Sequence, residues 1–459
     1  MASRASQAAA PIYLFLCLVL GGSVQGVFTN MALQLLGLGL LAWAVIAPTA
    51  SAPSALERQL HILILLALAV AAVQLVPLPP SVWTHLGGRE TFAAGYALLG
   101  IPLPWLPISL APYDSIATLL TVIPPLALLA TILRIGARPL WLIAALLSGL
   151  VAGILVGVLQ VSSIGPSGSP WYFYPETNVG VATGFFANAD HMATLLVTSI
   201  PFLGALLGSA RSARAGLPHY SGVVAVVVAV TIVVALGIVL NGSLAGYGLA
   251  LPVGFMGLLL AFRPRTRARI WAAIGAAAMI AAGVTALFLM PIGGTALRAN
   301  ANGSIQPRRE ILSTSLLATG AFMPLGSGLG TFARVYAVYE DHDRLDPVVS
   351  VNHAHDDYVE LALETGVPGI MLLIMFLMWW ARAAFRTWRI ADSGPFARAA
   401  VVASAAILVH SLVDFPLRTA AISSTFAMCV ALLVRWRPSA SAPAAEQSEL
   451  RPSRHVVIG

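Results

Sequence analysis

The sequence contains no lysine and only two cysteines, and charged residues make up just 9% of its 459 positions. A soluble domain has roughly 25% charged and roughly 45–50% apolar residues, whereas 58% of this chain is apolar. The scarcity of charge excludes an ordinary soluble fold. Cys17 and Cys429 both lie in apolar stretches and have the spacing of neither a disulfide framework nor a metal site. The composition therefore predicts an integral membrane protein whose cysteines are core residues.

Twelve apolar runs have about the length of a helix that crosses a bilayer, which needs roughly 20 residues. The runs are 11–24, 29–47, 60–76, 115–133, 140–160, 192–207, 222–240, 244–262, 270–290, 367–385, 396–413 and 417–434. They predict an all-α, polytopic membrane bundle of about 12 transmembrane helices. The first run is short and follows Arg4, but no signal-peptide cleavage site precedes the second run, which favours an uncleaved first helix.

The net charge of +7 is distributed unevenly among the predicted loops. If the N-terminus is cytoplasmic, 18 of the 25 arginines and 4 of the 18 acidic residues lie on the inner side, which gives +14 inside and −7 outside. Arginine-rich loops stay in the cytoplasm, so this pattern predicts that both termini are cytoplasmic. The basic balance then reflects membrane topology and gives no indication of nucleic-acid binding.

The predicted helices and loops divide the chain into four regions. Residues 1–290 contain nine transmembrane helices with short loops, and residues 291–366 form a large outer loop. Residues 367–435 contain the last three helices, and residues 436–459 form a disordered cytoplasmic tail that is rich in proline, alanine and serine. The long loops and most acidic residues lie on the outer side, where we expect any chemistry. Four outer aromatic residues fit an interfacial belt, the alternative being a surface that stacks on a ligand ring: Trp83, Trp105, Trp171 and Tyr172.

The large outer loop is predicted to contain two helices. The first covers residues 306–320 and ends at Gly320, where a C-cap glycine is expected. The second covers residues 352–365, with Asn352 as its N-cap and Gly366 as its C-cap. Three glycines between the helices predict a tight turn, and their backbone N–H groups are an alternative site for phosphate. These glycines are Gly326, Gly328 and Gly330.

Four segments carry a resemblance to a known family. The outer loop has Arg309, Pro324 and a Gly-x-Gly-x-Gly-x-Phe run, followed by HDDYVELALETGVPG over residues 355–369. GFFANADHMATLL lies upstream over residues 184–196, and HSLVDFPLRTAA lies downstream over residues 410–421. In their order and spacing, these segments resemble the bacterial O-antigen ligase and O-antigen polymerase family.

The resemblance implies a helical glycosyltransferase of the bacterial inner membrane, which acts at the periplasmic face on glycans carried by undecaprenyl pyrophosphate. A ligase transfers the glycan to the lipid A core, whereas a polymerase transfers it to another lipid-linked repeat. Both acceptors stay open, and the segment over residues 410–421 slightly favours a polymerase of O-antigen or exopolysaccharide. The family implies neither a metal nor a cofactor. A transporter or flippase of lipid-linked oligosaccharide is the alternative, but the charged residues lie at span ends and not deep within spans.

The outer arginines are the first candidate site residues, because a pyrophosphate donor requires positive charge. Arginine presents a planar fork that binds two phosphate oxygens at once. Arg309 occupies the motif position and is predicted to act in catalysis, with Arg308 beside it in substrate binding. Arg418 is predicted either to bind the donor or to form a structural ion pair with Asp414, which is assigned to the same substrate-binding set.

His355 occupies the position of the family's histidine, and its imidazole is predicted to position or deprotonate the acceptor hydroxyl. Asn188, Asp190 and His191 precede a predicted span and are expected to line the substrate site, the alternative being a polar helix cap. A metal site at His353 and His355 is a further alternative, for which no third ligand has convincing spacing.

Two positions depart from the pattern of the family. Ala189 and Leu244 stand where the family often has arginines. These losses weaken the expectation of a donor site identical to that of other members. They shift the expected contacts with pyrophosphate to Arg308, Arg309 and Arg418.

Overall fold

The computed structural model describes residues 4–24, 27–48, 52–163, 169–212, 220–262, 308–341, 351–390 and 393–435. The described residues form helices and loops without a regular strand, and Leu78 and Leu106 form one isolated antiparallel bridge. The helices that they contain are α1 (Arg4–Leu20), α2 (Phe28–Ile46), α3 (Ala55–Val73), α4 (Pro80–Trp83), α5 (Glu90–Leu98), α6 (Pro112–Thr121), α7 (Ile123–Ala130), α8 (Pro139–Ser162), α9 (Ala189–Ser212), α10 (Tyr220–Asn241), α11 (Leu244–Phe262), α12 (308–322), α13 (Phe332–Tyr339), α14 (Asp357–Arg389), α15 (Pro395–His410) and α16 (Ala420–Arg435). A π-helical turn (Thr131–Ile135) continues α7, and a 3₁₀ turn (Pro416–Arg418) precedes α16.

Eight helical stretches among the described residues are long and apolar enough to cross a membrane. The shorter apolar helices α1, α15 and α16 pack among them. Eleven of the twelve predicted spans coincide with helices of these two groups, and the predicted span over residues 270–290 lies outside the described residues. The chain is therefore an all-α, polytopic integral membrane protein, as predicted.

Helix α9 lies in the middle of the bundle, where it packs against α10, α11 and α15. Gly204 of α9 meets Gly257 of α11 so closely that a Cβ on Gly204 would lie 2.2 Å from the Gly257 carbonyl oxygen. Glycine at such crossings lets helix backbones approach within a membrane bundle. Cys17 of α1 and Cys429 of α16 are free thiols buried in the same core, which confirms their predicted place.

Helix α14 begins later than the sequence predicts. Its N-cap is Asp356 and not Asn352, since the Asp356 carboxylate accepts hydrogen bonds from the backbone N–H groups of Tyr358 and Val359 at 2.9 and 3.0 Å. The predicted C-cap is also wrong. At Gly366 (φ 59°, ψ −150°) the helix only kinks, and it then continues across the membrane. Consequently, residues 351–356 form a loop before the helix, and contacts with other elements determine its conformation.

The glycine turn, which contains Gly326, Gly328 and Gly330, follows α12 and packs closely against neighbouring segments. Helix α12 passes through Gly320, so the predicted end at this residue is wrong. A Cβ on Gly326 would lie 2.6 Å from the Glu364 carbonyl oxygen, and one on Gly328 would lie 2.4 Å from Ser109. The Gly328 N–H donates to the carbonyl oxygen of Glu364 at 2.9 Å. The tight turn is confirmed, and its packing against α14 fixes the kink in that helix.

Candidate functional site

Four segments that are distant in the sequence meet at one end of the bundle. They are the start of α9, the loop over residues 351–356, the loop over residues 411–419 and the start of α12. All eight predicted site residues lie on or beside these segments: Asn188, Asp190, His191, Arg308, Arg309, His355, Asp414 and Arg418. The fold therefore brings the predicted residues to a common end, although their contacts differ.

His355 forms the central contact of this cluster. Its Nδ1 lies 3.1 Å from Oδ1 of Asp414, a residue that is fully buried. A carboxylate only accepts hydrogen bonds, so Nδ1 of the neutral ring carries the proton and Nε2 keeps a free lone pair. The backbone of His355 has a φ of 51°, a left-handed conformation that residues with a Cβ adopt rarely and under constraint from their surroundings. The orientation of this imidazole is thus enforced by the fold.

The second oxygen of Asp414 faces the start of α9, where His191 places Nε2 3.7 Å from Oδ2. Burial alone would raise the pKa of Asp414. Attraction to His191, the hydrogen bond from His355 and the charge of Arg308 outweigh burial and hold the pKa of this carboxyl below its ordinary value of 3.8. Asp414 is therefore ionised at neutral pH and can fix the tautomer of His355.

Arg308 is the arginine of α12 that reaches the cluster. Its Nη2 forms an ion pair with Oδ2 of Asp190, whose other oxygen accepts a hydrogen bond from the Ser243 hydroxyl. Burial alone would lower the pKa of Arg308, but the carboxylates of Asp190 and Asp414 outweigh it and raise the pKa. The neighbouring Arg309 is exposed at the start of the same helix.

Arg418 is the centre of a group of carboxylates on α14. Its Nη2 lies 3.2 Å from both Glu360 and Glu364, and its Nε lies 3.7 Å from Asp357. Burial alone would lower the pKa of Arg418, but these three carboxylates outweigh it and raise the pKa. The predicted ion pair between Arg418 and Asp414 is wrong, because α14 supplies nearer acidic partners. The guanidinium of Arg418 is engaged with protein groups on several sides.

Phe415 separates the imidazoles of the cluster. The centroid of its ring lies 4.2 Å from that of His353, 4.9 Å from that of His191 and 5.0 Å from that of His355. The phenyl ring is itself buried. Contacts of this kind restrict the planes of the rings, so Phe415 helps to fix the direction in which His355 presents Nε2.

A polar cavity of about 230 Å³ opens beside His355. Amide, hydroxyl, carboxyl and imidazole groups reach its wall, and they include those of Ser23, Glu176, Asn178, Asn188, Asn352 and His355. Such groups both donate and accept hydrogen bonds. The cavity can therefore bind a ligand rich in hydroxyl groups.

An apolar cavity of about 350 Å³ is also lined by the loop over residues 351–356. Leu373 and Phe376, from the membrane-crossing part of α14, line it together with Phe426 of α16. Its polar end is formed by His353, Asp357 and Arg418. The loop thus contributes His353 to the apolar cavity and His355 to the polar one.

The imidazoles of the loop take separate carboxylate partners. His353 places Nδ1 2.9 Å from Oε1 of Glu360, while His355 pairs with Asp414. Within the ranges that the structure describes, no three histidine, cysteine, aspartate or glutamate side chains are arranged to hold a metal ion. The geometry favours acid–base and ion-pair roles for these groups.

Sequence reasoning missed several residues that hold the site together. Glu360 joins Arg418 to the loop, and Ser243 joins Asp190 to the start of α11. His410 places Nδ1 2.7 Å from the hydroxyl of Thr194. Glu360 lies in the first turn of α14, and His410 is the last residue of the apolar helix α15. A titratable residue at the end of an apolar run was the signal that could have identified His410.

A known family model matches part of the chain. Residues 229–374 match the family model described as O-Antigen ligase. The matched range includes Arg308, Arg309 and His355, and it ends before Asp414 and Arg418. No curated protein matches the chain.

Proposed function

Because residues 229–374 match the family model described as O-Antigen ligase, we propose that this chain is a membrane glycosyltransferase for glycans carried on polyprenyl pyrophosphate. One observation carries the proposal. His355, held through Nδ1 by the buried Asp414, reaches the wall of a polar cavity with Nε2 free. An imidazole in this state can accept a proton from a sugar hydroxyl. In the predicted topology, the site faces the periplasm from the inner membrane.

In the proposed reaction, an acceptor hydroxyl attacks the anomeric carbon of the donor glycan. The new bond joins the acceptor oxygen to that carbon, and the bond between the carbon and the pyrophosphate oxygen breaks. The hydroxyl proton passes to Nε2 of His355, and the polyprenyl pyrophosphate leaves with the electron pair. Arg308, in contact with Asp190 at the same cluster, supplies positive charge for the leaving group. Arg309, exposed at the start of α12, is a second candidate for this contact.

The two cavities support a substrate that is part sugar and part lipid. The polar cavity offers hydrogen-bonding groups for a saccharide, in accordance with the predicted roles of Asn188 and His191. The apolar cavity offers leucine and phenylalanine side chains from membrane-crossing helices, which suit an isoprenoid chain. The loop that carries His353 and His355 lines both cavities, so one lipid-linked molecule that occupied both would place its junction near the imidazoles.

The acceptor distinguishes two enzymes within the family. A polymerase uses a second lipid-linked repeat, whereas a ligase uses the lipid A core. We favour the polymerase, because the segment over residues 410–421 resembles that of exopolysaccharide-linked members. The test supplies purified protein in proteoliposomes with a lipid-linked oligosaccharide, either alone or together with lipid A core. A polymerase forms a longer lipid-linked chain in both reactions, whereas a ligase forms a lipid A conjugate in the second reaction only.

The test of the proposed chemistry is His355→Ala, with Thr231→Val in α10 as a control. We expect His355→Ala to lower the transfer rate by about 10²- to 10⁴-fold, the usual contribution of a general base. Thr231 bonds to the Val227 carbonyl oxygen of its own helix and lines neither cavity, so its variant should retain most of the activity. A His355→Ala protein that folds and transfers glycan at the wild-type rate would overturn the mechanism.

A further inference from the structure

Residues 91–113, outside both cavities, form a stretch of 23 residues without a charge. Four large apolar or aromatic side chains project from it into the surroundings. Leu98 and Leu99 are 88% and 72% exposed, while Trp105 and Tyr113 are 64% and 87% exposed. An exposed apolar patch on a protein marks a site of interaction with a membrane or another molecule.

This stretch cannot cross the membrane. Helix α5 ends at Leu98, and the chain then continues without a further helix through Pro102, Pro104 and Pro107 to the start of α6. Irregular backbone in contact with lipid does not occur in the hydrocarbon core, because its N–H and C=O groups would lack partners. The stretch therefore belongs at a membrane boundary or in contact with another molecule.

The protein holds the backbone of this stretch firmly. The indole N–H of the buried Trp83 donates to the Pro104 carbonyl oxygen at 2.9 Å, and the buried Arg89 donates to that of Ile108. Leu106 pairs with Leu78 through two backbone hydrogen bonds. Trp83 was predicted to join an interfacial belt, but it is an internal anchor that is only 1% exposed. The apolar side chains are thus presented outwards from a fixed backbone.

The exposed surface continues that of the flanking membrane helices. Val73 of α3 is 56% exposed and Ile116 of α6 is 46% exposed, and both helices belong to candidate membrane spans. The stretch also lies at the end of the bundle that carries the site, because the Leu110 N–H donates to the Ser327 carbonyl oxygen in the glycine turn at 2.9 Å. The stretch therefore lies at the end of the bundle that carries the cavities, between two helices that belong to candidate membrane spans.

We propose that residues 91–113 form a membrane-surface element, which inserts Leu98, Leu99, Trp105 and Tyr113 into the lipid leaflet on the side of the site. Surface elements of this kind insert about 5–10 Å into the boundary between headgroups and acyl chains. Tryptophan and tyrosine prefer this boundary, where an apolar ring and a polar edge are both accommodated. The element holds the end of the bundle at the depth of the headgroups, and it does so whether or not the proposed transferase activity is correct.

The test uses a fluorescent bimane on Leu99→Cys in full-length protein, reconstituted in vesicles of phosphatidylethanolamine and phosphatidylglycerol. Both native cysteines are 0% exposed, so wild-type protein gives the labelling background. Spin-labelled lipids carry the quencher either near the headgroup or near the end of the acyl chain, and iodide acts from water. We expect the shallow label to quench Leu99→Cys at least about twofold more than the deep label, with little quenching by iodide.

Two positions calibrate the measurement. The bimane on Leu36→Cys, at an exposed position in the middle of α2, should be quenched most by the lipid that carries its spin label near the end of the acyl chain. Glu310→Cys, at an exposed position in the first turn of α12, should respond to iodide. A Leu99→Cys probe that behaves like Glu310→Cys would overturn the proposal. Shielding from iodide and from both lipids would overturn it too, since it would indicate a protein partner or a second copy. Trp105→Cys repeats the test if Leu99→Cys does not fold.

Discussion

Replacing Asp414 by asparagine tests the proposed role of His355 most directly. Asparagine has nearly the same shape but no charge, and its amide can donate to Nδ1 as readily as its oxygen can accept. In the wild-type protein, Oδ1 of Asp414 lies 3.1 Å from Nδ1 of His355 and requires the proton to be there. With Asp414→Asn, the proton is free to move to Nε2, the nitrogen that must accept the proton of the acceptor hydroxyl.

The expected magnitude follows from the loss of a general base. Such a base contributes about 10²- to 10⁴-fold to a rate, and each factor of ten corresponds to about 1.4 kcal/mol of activation free energy. Asp414→Asn should therefore raise the barrier by about 3–5 kcal/mol if His355 acts through this tautomer. The KM for the donor should change little, because Asp414 is fully buried and lines neither cavity.

The assay is glycan transfer by purified protein in proteoliposomes, with kcat and KM measured over a range of pH. The fold of the variant is checked by its gel-filtration profile and its thermal unfolding in detergent. His355→Ala combined with Asp414→Asn should be little slower than His355→Ala alone, because both changes remove the same base. Two outcomes refute the reasoning: a wild-type kcat for Asp414→Asn, or losses in the double variant that multiply.

Three further predictions follow from the geometry. Arg308→Ala should lower kcat/KM by about 10- to 100-fold, the value of a charge-assisted hydrogen bond. Arg309→Ala, at an exposed position, should lower kcat/KM less. A larger loss for Arg309→Ala than for Arg308→Ala would assign the contact with pyrophosphate to Arg309. Gly326→Ala should lower the free energy of unfolding by more than about 1 kcal/mol at a φ of 80°, whereas Gly320→Ala, with open space around it, should raise thermal stability. Asp414 has a depressed pKa in the folded protein, so its ionised carboxylate stabilises the fold above pH 3.8. This stabilisation declines as the pH falls below 3.8 towards the lower pKa of the folded state. The difference in Tm between the wild type and Asp414→Asn should therefore shrink below pH 3.8.

The transmembrane helices were predictable, because a long apolar run in a membrane protein has few alternatives to a helix. The ends of helices in the outer loop were not. Asn352 and Asp356 are both good N-cap residues, and local rules do not choose between them. The choice depends on a distant contact, since the N–H of Asp357 donates to the Ser411 carbonyl oxygen at 2.9 Å. Similarly, Gly366 permits a helix end, but packing against the glycine turn makes it a kink.

The residues that meet at the candidate site were predictable from the resemblance, but the contacts between their side chains were not. His355 and Asp414 are 59 positions apart, and nothing in the sequence joins them. The nearest arginine to Asp414 along the chain is Arg418, and a separation of four residues favours an ion pair when both lie on one helix. Here Pro416 begins a short 3₁₀ turn between them, so the two side chains diverge. Proximity along the chain was therefore misleading.

Arg418 connects the buried carboxylates of α14 with the loop that carries His355. The guanidinium reaches Glu360 and Glu364 together at 3.2 Å. Glu360 in turn accepts hydrogen bonds from Nδ1 of His353 at 2.9 Å and from the backbone N–H of Ala354 at 3.0 Å. These two contacts fix the chain immediately before His355, whose left-handed backbone needs such a constraint.

Replacing Arg418 by lysine, a residue that the chain does not otherwise contain, tests whether the geometry of the guanidinium or its charge matters. Lysine would keep the charge, but its compact ammonium lacks the planar fork that lets arginine serve several carboxylates in fixed directions. If Arg418 positions the loop, Arg418→Lys should fold, lower kcat and leave the KM for the donor nearly unchanged. Arg418→Ala, which leaves Glu360 and Glu364 buried without their cation, should lose about 3–5 kcal/mol of stability. A rise in KM with unchanged kcat for Arg418→Lys would instead assign the guanidinium to donor binding.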